Sequence, residues 1–135
     1  MDRDRVLAEI KSILSGFEDI DASYVIGSFL KTDGFNDIDV ALLVSNDLTP
    51  YEKLKFELKV AGELERNIKP RVEFDVKILN YSPIYFQYEA VKNGVAAYVK
   101  DQDIRVEYEA HLISDYLDLK EMYDLIDKEF LAARS

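Results

Sequence analysis

Cysteine is absent from the 135 residues, and with it go disulfides, thiolate nucleophiles and zinc–thiolate sites. Histidine occurs once, at His111, which excludes a multi-histidine metal site within one chain. Long apolar runs are also missing. The cleanest, Val40-Ala41-Leu42-Leu43-Val44, has five residues, whereas a membrane-spanning helix needs roughly 20. The opening Met1-Asp2-Arg3-Asp4-Arg5 is charged and leads into an amphipathic pattern, not the apolar core of an export signal. The expected location is the cytoplasm, with no membrane contact. Bases are scarce: 17 Lys plus Arg face 27 acids, a net charge of −10. Such a chain is poorly suited to gripping a nucleic-acid backbone by bulk charge, so direct nucleic-acid binding is not expected. A nucleotide could still bind at a local site with a divalent cation.

What is present is an ordinary globular composition, 48% hydrophobic and 33% charged, with Gly 5 and Pro 3. No repeat, low-complexity tract or Gly/Ser linker divides it, so one domain over residues 1–135 is expected. Asp2 can cap a helix to about Leu14, with Val6, Ile10, Ile13 and Phe17 on one face. Ala22 to Ile26 is β-prone and ends at Gly27-Ser28. A loop rich in turn residues (Thr32, Asp33, Gly34, Asn36) precedes a second strand over Asp37–Val44. Thr49-Pro50-Tyr51-Glu52 is a helix start with its cap, N1 proline and N3 glutamate. That helix should reach about Asn67, with Tyr51, Leu54, Leu58, Ala61 and Leu64 facing inward.

Arg71 to Leu79 alternates: Val72, Phe74, Val76 and Ile78 point one way, and Arg71, Glu73, Asp75 and Lys77 the other. A helix from Ser82-Pro83 to Asn93, a strand over Val95–Val99 and a long helix from about Ile104 to Ala133 complete the pattern. The order α-β-β-α-β-α-β-α predicts an α/β (α+β) domain, a small mixed sheet with flanking helices.

The chemistry concentrates in Gly27-Ser28, then Asp37-Ile38-Asp39-Val40, then Asp75. A strand repeats every two residues, so Asp37 and Asp39 share a face. Adjacent carboxylates repel unless solvated or bridged by a cation, and hard oxygens suit Mg²⁺, which also takes ligands from substrate phosphates. Gly27 lets backbone approach a phosphate, and Ser28 adds an amide and a hydroxyl. With Asp75 as the third acid, the set reads as a two-metal phosphoryl-transfer site. Glu73, two residues away on the same face, competes with Asp75 for the third place. A solvated strand edge is the plainer alternative for the Asp pair, as are a strand-end glycine and a turn cap for Gly27 and Ser28. His111 reads as a structural or surface residue.

These residues resemble the DNA polymerase β-type nucleotidyltransferase superfamily. The small size is similar to its minimal nucleotidyltransferase (MNT) domains, antitoxins of MNT–HEPN toxin–antitoxin pairs. The resemblance continues through Pro83, Gln87-Tyr88-Glu89, Gly94 to Tyr98 and Tyr116-Leu117-Asp118, and so covers roughly Ala22 to Leu119. It implies AMP transfer from ATP to a tyrosine hydroxyl of a partner HEPN ribonuclease, which is silenced. Asp37, Asp39 and Asp75 would then hold two Mg²⁺, and Gly27, Ser28 and Lys31 the triphosphate. Two departures stand out. The loop between Ser28 and Asp37, eight residues, is shorter than the family's usual one, and the family's Gly-Ser-x-Ala-Arg-Gly run is replaced by Gly27-Ser28-Phe29-Leu30-Lys31-Thr32. Alternatives are a weak or inactive domain that neutralises its partner by occlusion, and an aminoglycoside-type enzyme acting on a small molecule.

The final helix carries a heptad seam, Leu112, Tyr116, Leu119, Tyr123, Ile126 and Phe130, beside a second stripe of Val106, Ala110, Ile113 and Leu117. Between Asp101 and Ser135 ten acids face four bases. Both features suit a basic protein partner or an oligomer through this helix, although one broad core face would explain the stripes as well.

Overall fold

The computed structural model describes residues 2–30 and 37–134. Its elements in chain order are α1 (Arg3–Leu14), β1 (Ile20–Ile26), a 3₁₀ turn (Ser28–Leu30), β2 (Asp37–Val44), α2 (Pro50–Asn67), β3 (Glu73–Ile78), a second 3₁₀ turn (Leu79–Tyr81), α3 (Ile84–Asn93), β4 (Val95–Val99) and α4 (Gln102–Arg134). The strands form one sheet in the order β3-β2-β1-β4. β1 runs antiparallel to β2 and to β4, while β2 and β3 are parallel. The mixed α/β architecture expected from the sequence is the one observed.

Local chemistry accounts for the helix starts. Asp2 Oδ1 accepts from the amides of Asp4 (3.0 Å) and Arg5 (3.3 Å). At α2, Thr49 Oγ1 accepts from Glu52 N at 3.2 Å and Glu52 Oε1 accepts from Thr49 N at 3.1 Å, a reciprocal capping box.

The two faces of the sheet have different fates. Ile38, Val40, Leu42 and Val44 of β2 and Phe74, Val76 and Ile78 of β3 bury against Val6, Ile10 and Leu14 of α1 and Val60 and Leu64 of α2. On the other face, Ala22, Tyr24 and Ile26 of β1 and Ala41 and Leu43 of β2 pack with Ala90 and Phe86 of α3 and Tyr108 of α4. Polar contacts fasten α4 here: Tyr24 Oη donates to Glu109 Oε1 at 3.0 Å, and Arg105 Nε reaches the same oxygen at 3.2 Å. Burial raises the Tyr24 phenol above its ordinary pKa, helped by the Glu109 carboxylate, so Tyr24 serves as a donor throughout the neutral range.

The inward face of α2 differs from the one expected. Leu64 is buried and Ala61 packs on the core, as expected, but Tyr51, Leu54 and Leu58 are exposed, at 73%, 56% and 64%, and Glu57 and Val60 are buried beside Leu64 instead. At 3.6 residues per turn the two stripes lie roughly a third of a turn apart. The helix faces the sheet along the stripe that contains Glu57 because that carboxylate has a task. Glu57 Oε2 accepts from Ile78 N at 3.0 Å, and about two turns further along Glu65 Oε1 accepts from Phe74 N at 3.0 Å. Both amides belong to β3, the outermost strand on its side of the sheet.

Candidate active site

β2 and β3 are in parallel register, with Asp37 opposite Glu73 and Asp39 opposite Asp75. Because β2's even positions fill the α1/α2 core, Asp37 and Asp39 are turned to the other face. Glu73, Asp75 and Lys77 alternate onto that same face while Phe74, Val76 and Ile78 bury. There α3 packs over β1 and β4, which leaves the β2–β3 side open. The result is a cavity of ≈ 220 Å³ lined by Ile26, Asp39, Val40, Asp75, Lys77 and Phe86.

One oxygen from each of Asp37, Asp39 and Asp75 lies within 4.8 Å of the others. Glu73 is not part of that group among the described residues. Asp39 is the middle member. Burial, and then the charges of Asp37 and Asp75, raise its carboxyl above the ordinary pKa. Burial and like charge both disfavour the ionised form, and a bound cation would oppose them. Lys77 Nζ stands 3.8 Å from Asp75 Oδ1, and both side chains are about half exposed, so this pair offsets only part of the repulsion. The donor set, three hard oxygens converging from two adjacent strands, fits Mg²⁺.

Gly27 follows β1 with φ +88°, the left-handed region that glycine tolerates best. A Cβ there would stand 2.7 Å from Asp39 Oδ2. The backbone angle favours glycine, and an added Cβ would in addition push on the central carboxylate. Leu30 N donates to Gly27 O at 3.2 Å, closing the 3₁₀ turn that begins at Ser28. Phe29 anchors that turn in the core, and Arg3 Nε donates to Phe29 O at 2.7 Å. Lys31 lies outside the described residues. His111 is exposed on α4 with Glu107 Oε1 4.0 Å away.

Three contributors escaped sequence reasoning. Lys77 carried a usable signal, since it sits two residues after Asp75 on an alternating strand. Phe86 approaches from α3 and Arg3 from α1, and no local pattern links either to the acids.

Comparisons with known proteins agree with this geometry. The family described as polymerase beta, nucleotidyltransferase matches residues 8–103. Among curated proteins, none is significantly similar in sequence. Several solved structures share the fold. A chain of the complex of tri-AMPylated Shewanella oneidensis HEPN toxin with MNT antitoxin is 18% identical with a TM-score of 0.68, covering 96% of this chain and 99% of that one. A chain of a toxin–antitoxin structure with AMP-PNP is 19% identical with a TM-score of 0.68, covering 97% and 99%. A chain of the MntA–HepT toxin–antitoxin structure is 19% identical with a TM-score of 0.66, covering 95% and 98%.

Proposed function

Because the chain belongs to the polymerase β-type nucleotidyltransferase family, we propose that it is an antitoxin of the MNT type, one that transfers AMP from ATP to a tyrosine hydroxyl of a HEPN-type partner. The observation that carries this reading is the convergence of Asp37, Asp39 and Asp75 within 4.8 Å. Three carboxylates brought together at a cavity cost stability unless a cation offsets them. The fold shared with a tri-AMPylated toxin–antitoxin complex and with a complex of AMP-PNP supports the choice of acceptor and of nucleotide.

In the proposed reaction the phenolic oxygen of the acceptor bonds to the α-phosphorus. The bond from that phosphorus to the α–β bridging oxygen breaks, pyrophosphate leaves, and the phenol proton passes to a carboxylate. Two Mg²⁺ held by the three aspartates would draw charge off the triphosphate and acidify the attacking hydroxyl. The remaining work belongs to the chain. Asp37 and Asp39, on one strand, fix the triphosphate end of the site. Gly27 leaves space beside Asp39 and presents its backbone with that of Ser28 to a phosphate, and Lys31 is assigned to the same phosphates. Asp75, from the neighbouring strand, is assigned to the acceptor side as the proton's first recipient. Phe86 and Ile26 wall the cavity and exclude water from one flank.

The test is turnover. The purified chain, with ATP and Mg²⁺, should silence a large molar excess of a purified HEPN-type partner protein. Each partner molecule should gain the mass of one or more adenylyl units, and silencing should persist after the chain is removed. Silencing that is one-to-one, ATP-independent and reversed by dilution would instead establish occlusion.

A further inference from the structure

α4 has 33 residues, a length of about 50 Å, and only its first part rests on the body. Among the described residues Leu112 is the last buried one, and every position from Lys120 to Phe130 is exposed. Yet this outer part is rich in large apolar side chains. Leu117, Met122, Tyr123, Leu125 and Ile126 are each about half exposed, with Tyr123 at 57%. Together with Leu119 they spread round roughly two thirds of the helix circumference at 3.6 residues per turn. An apolar stripe of about 100° is what one packed neighbour needs, and a helix apolar over most of its circumference is one that becomes buried.

Where α4 leaves the body, a groove of ≈ 260 Å³ opens between it and the start of α3. Its lining is Pro83, Ile84 and Tyr85 from one side and Tyr116, Leu119, Lys120 and Tyr123 from the other. Its walls are fixed. Tyr88 and Tyr116 stack with centroids 3.7 Å apart and planes at 5°, and Tyr108 Oη donates to Gln87 Oε1 at 2.7 Å. Tyr116, Leu119 and Tyr123 belong to both groove and helix, so the two surfaces are continuous. Tyr85 and Phe86 are consecutive in α3, the first lining this groove and the second the carboxylate cavity.

We infer that the groove and the outer half of α4 form one docking surface for a basic, multi-helix face of the protein acceptor. The inference rests on the protein-transfer reading above. Two observations choose this occupant over a second copy. A symmetric helix pair covers one stripe on each partner and would leave the rest of this circumference wet, whereas two or more helices can embrace it. Charge points the same way. From Asp115 to Glu129 six acids face Lys120 and Lys128, and a second copy would bring another net −10 to meet the first. An apolar knob seated in the groove places the neighbouring surface of the acceptor on the flank of α3 next to the aspartates.

The experiment uses the full chain and a HEPN-type partner protein, with affinity measured by titration calorimetry. Tyr123→Asp combined with Ile126→Asp changes two exposed positions, so the melting temperature and Mg-ATP affinity should match the parent. Partner affinity should fall at least 100-fold. Asp37→Asn should keep partner affinity and lose transfer. The chain alone should run as a monomer in light-scattering chromatography. Partner binding unchanged in the double variant would overturn the inference and leave the proposed function standing. A dimer of the chain alone that the double variant dissolves would give the surface to a second copy and overturn it as well. A parent chain that binds the partner through this surface but never adenylylates it would sink the proposed function and keep the surface. No partner binding by the parent would sink both.

Discussion

Replacing Asp39 by asparagine should make the metal-free protein more stable and the metal-loaded comparison less so. Asp39 sits between two like charges with oxygens within 4.8 Å. At that distance each pair costs about 0.9 kcal/mol in a water-like dielectric. The water-like limit is appropriate because the Asp75 side chain is 50% exposed. Two pairs give about 1–2 kcal/mol of relief, and for a domain of this size that is roughly 3–6 °C in Tm. The pH dependence has a definite sign. The folded carboxyl of Asp39 is raised above its ordinary value, by burial first and by Asp37 and Asp75 next. Its contribution to stability is therefore full in acid, where the group is protonated in both states. That contribution falls as pH rises from the unfolded value through the folded one, and stays lost at neutral pH. Asp39→Asn should lack that fall. Thermal melts at pH 7.5 in EDTA and low salt should place the variant above the parent, and 1 M NaCl should shrink the gap, since the Debye length is then about 3 Å. Mg²⁺ should invert the order, because a ligand at a hundredfold over its Kd adds about 2.7 kcal/mol to the parent alone. A variant that is folded but no more stable than the parent in EDTA would refute the reasoning, and so would Mg²⁺ raising both melting temperatures equally.

Other expectations follow from neighbouring residues. Gly27→Ala should lose about 1–2 kcal/mol from the left-handed backbone alone, and more by pushing on Asp39, visible as a lower Tm and weakened Mg-ATP binding in the same variant. Asp75→Asn should cut transfer far more than nucleotide binding, with Glu73→Gln mild by comparison. If the Glu73 variant is the inactive one, the third acid is misassigned. Glu57→Leu should cost about 1–3 kcal/mol by leaving the Ile78 amide without its acceptor, and Glu57→Gln should recover most of it; equal denaturation midpoints for the two would show that the carboxylate's hydrogen bond is immaterial.

The strands and the acids were legible in the sequence because both follow a period of two. Phe74-x-Val76-x-Ile78 declares which face is core, and that leaves Asp75 on the face where Asp37 and Asp39 already stand. Capping chemistry located the ends of α1 and α2 for a similar reason, since a cap is a contact between residues three apart. The orientation of α2 was not legible. An apolar count favours Tyr51, Leu54 and Leu58, but the helix is rotated by what lies across from it, and a buried glutamate is invisible to a count of apolar residues. The strand starts also moved: β1 begins at Ile20 and β3 at Glu73, positions set by pairing partners and not by local propensity. Phe86 and Lys77 joined the cavity through tertiary packing and strand register. The exposure of α4 is the same lesson inverted, since its two stripes are equally compatible with a broad core and with a partner until the body of the protein is seen to end near Leu112.

Glu57 and Glu65 have a consequence beyond the stability of one strand. They accept from β3 amides at the place where a further strand would offer its carbonyls. Side-chain carboxylates here do the work of a fifth strand, and they carry negative charge that an incoming backbone would have to displace. Growth of the sheet on this side, whether by strand swapping between copies or by edge-to-edge aggregation, is thereby opposed. Among the described residues the four-stranded mixed sheet can thus keep its carboxylate-lined flank open and still leave association to the helices.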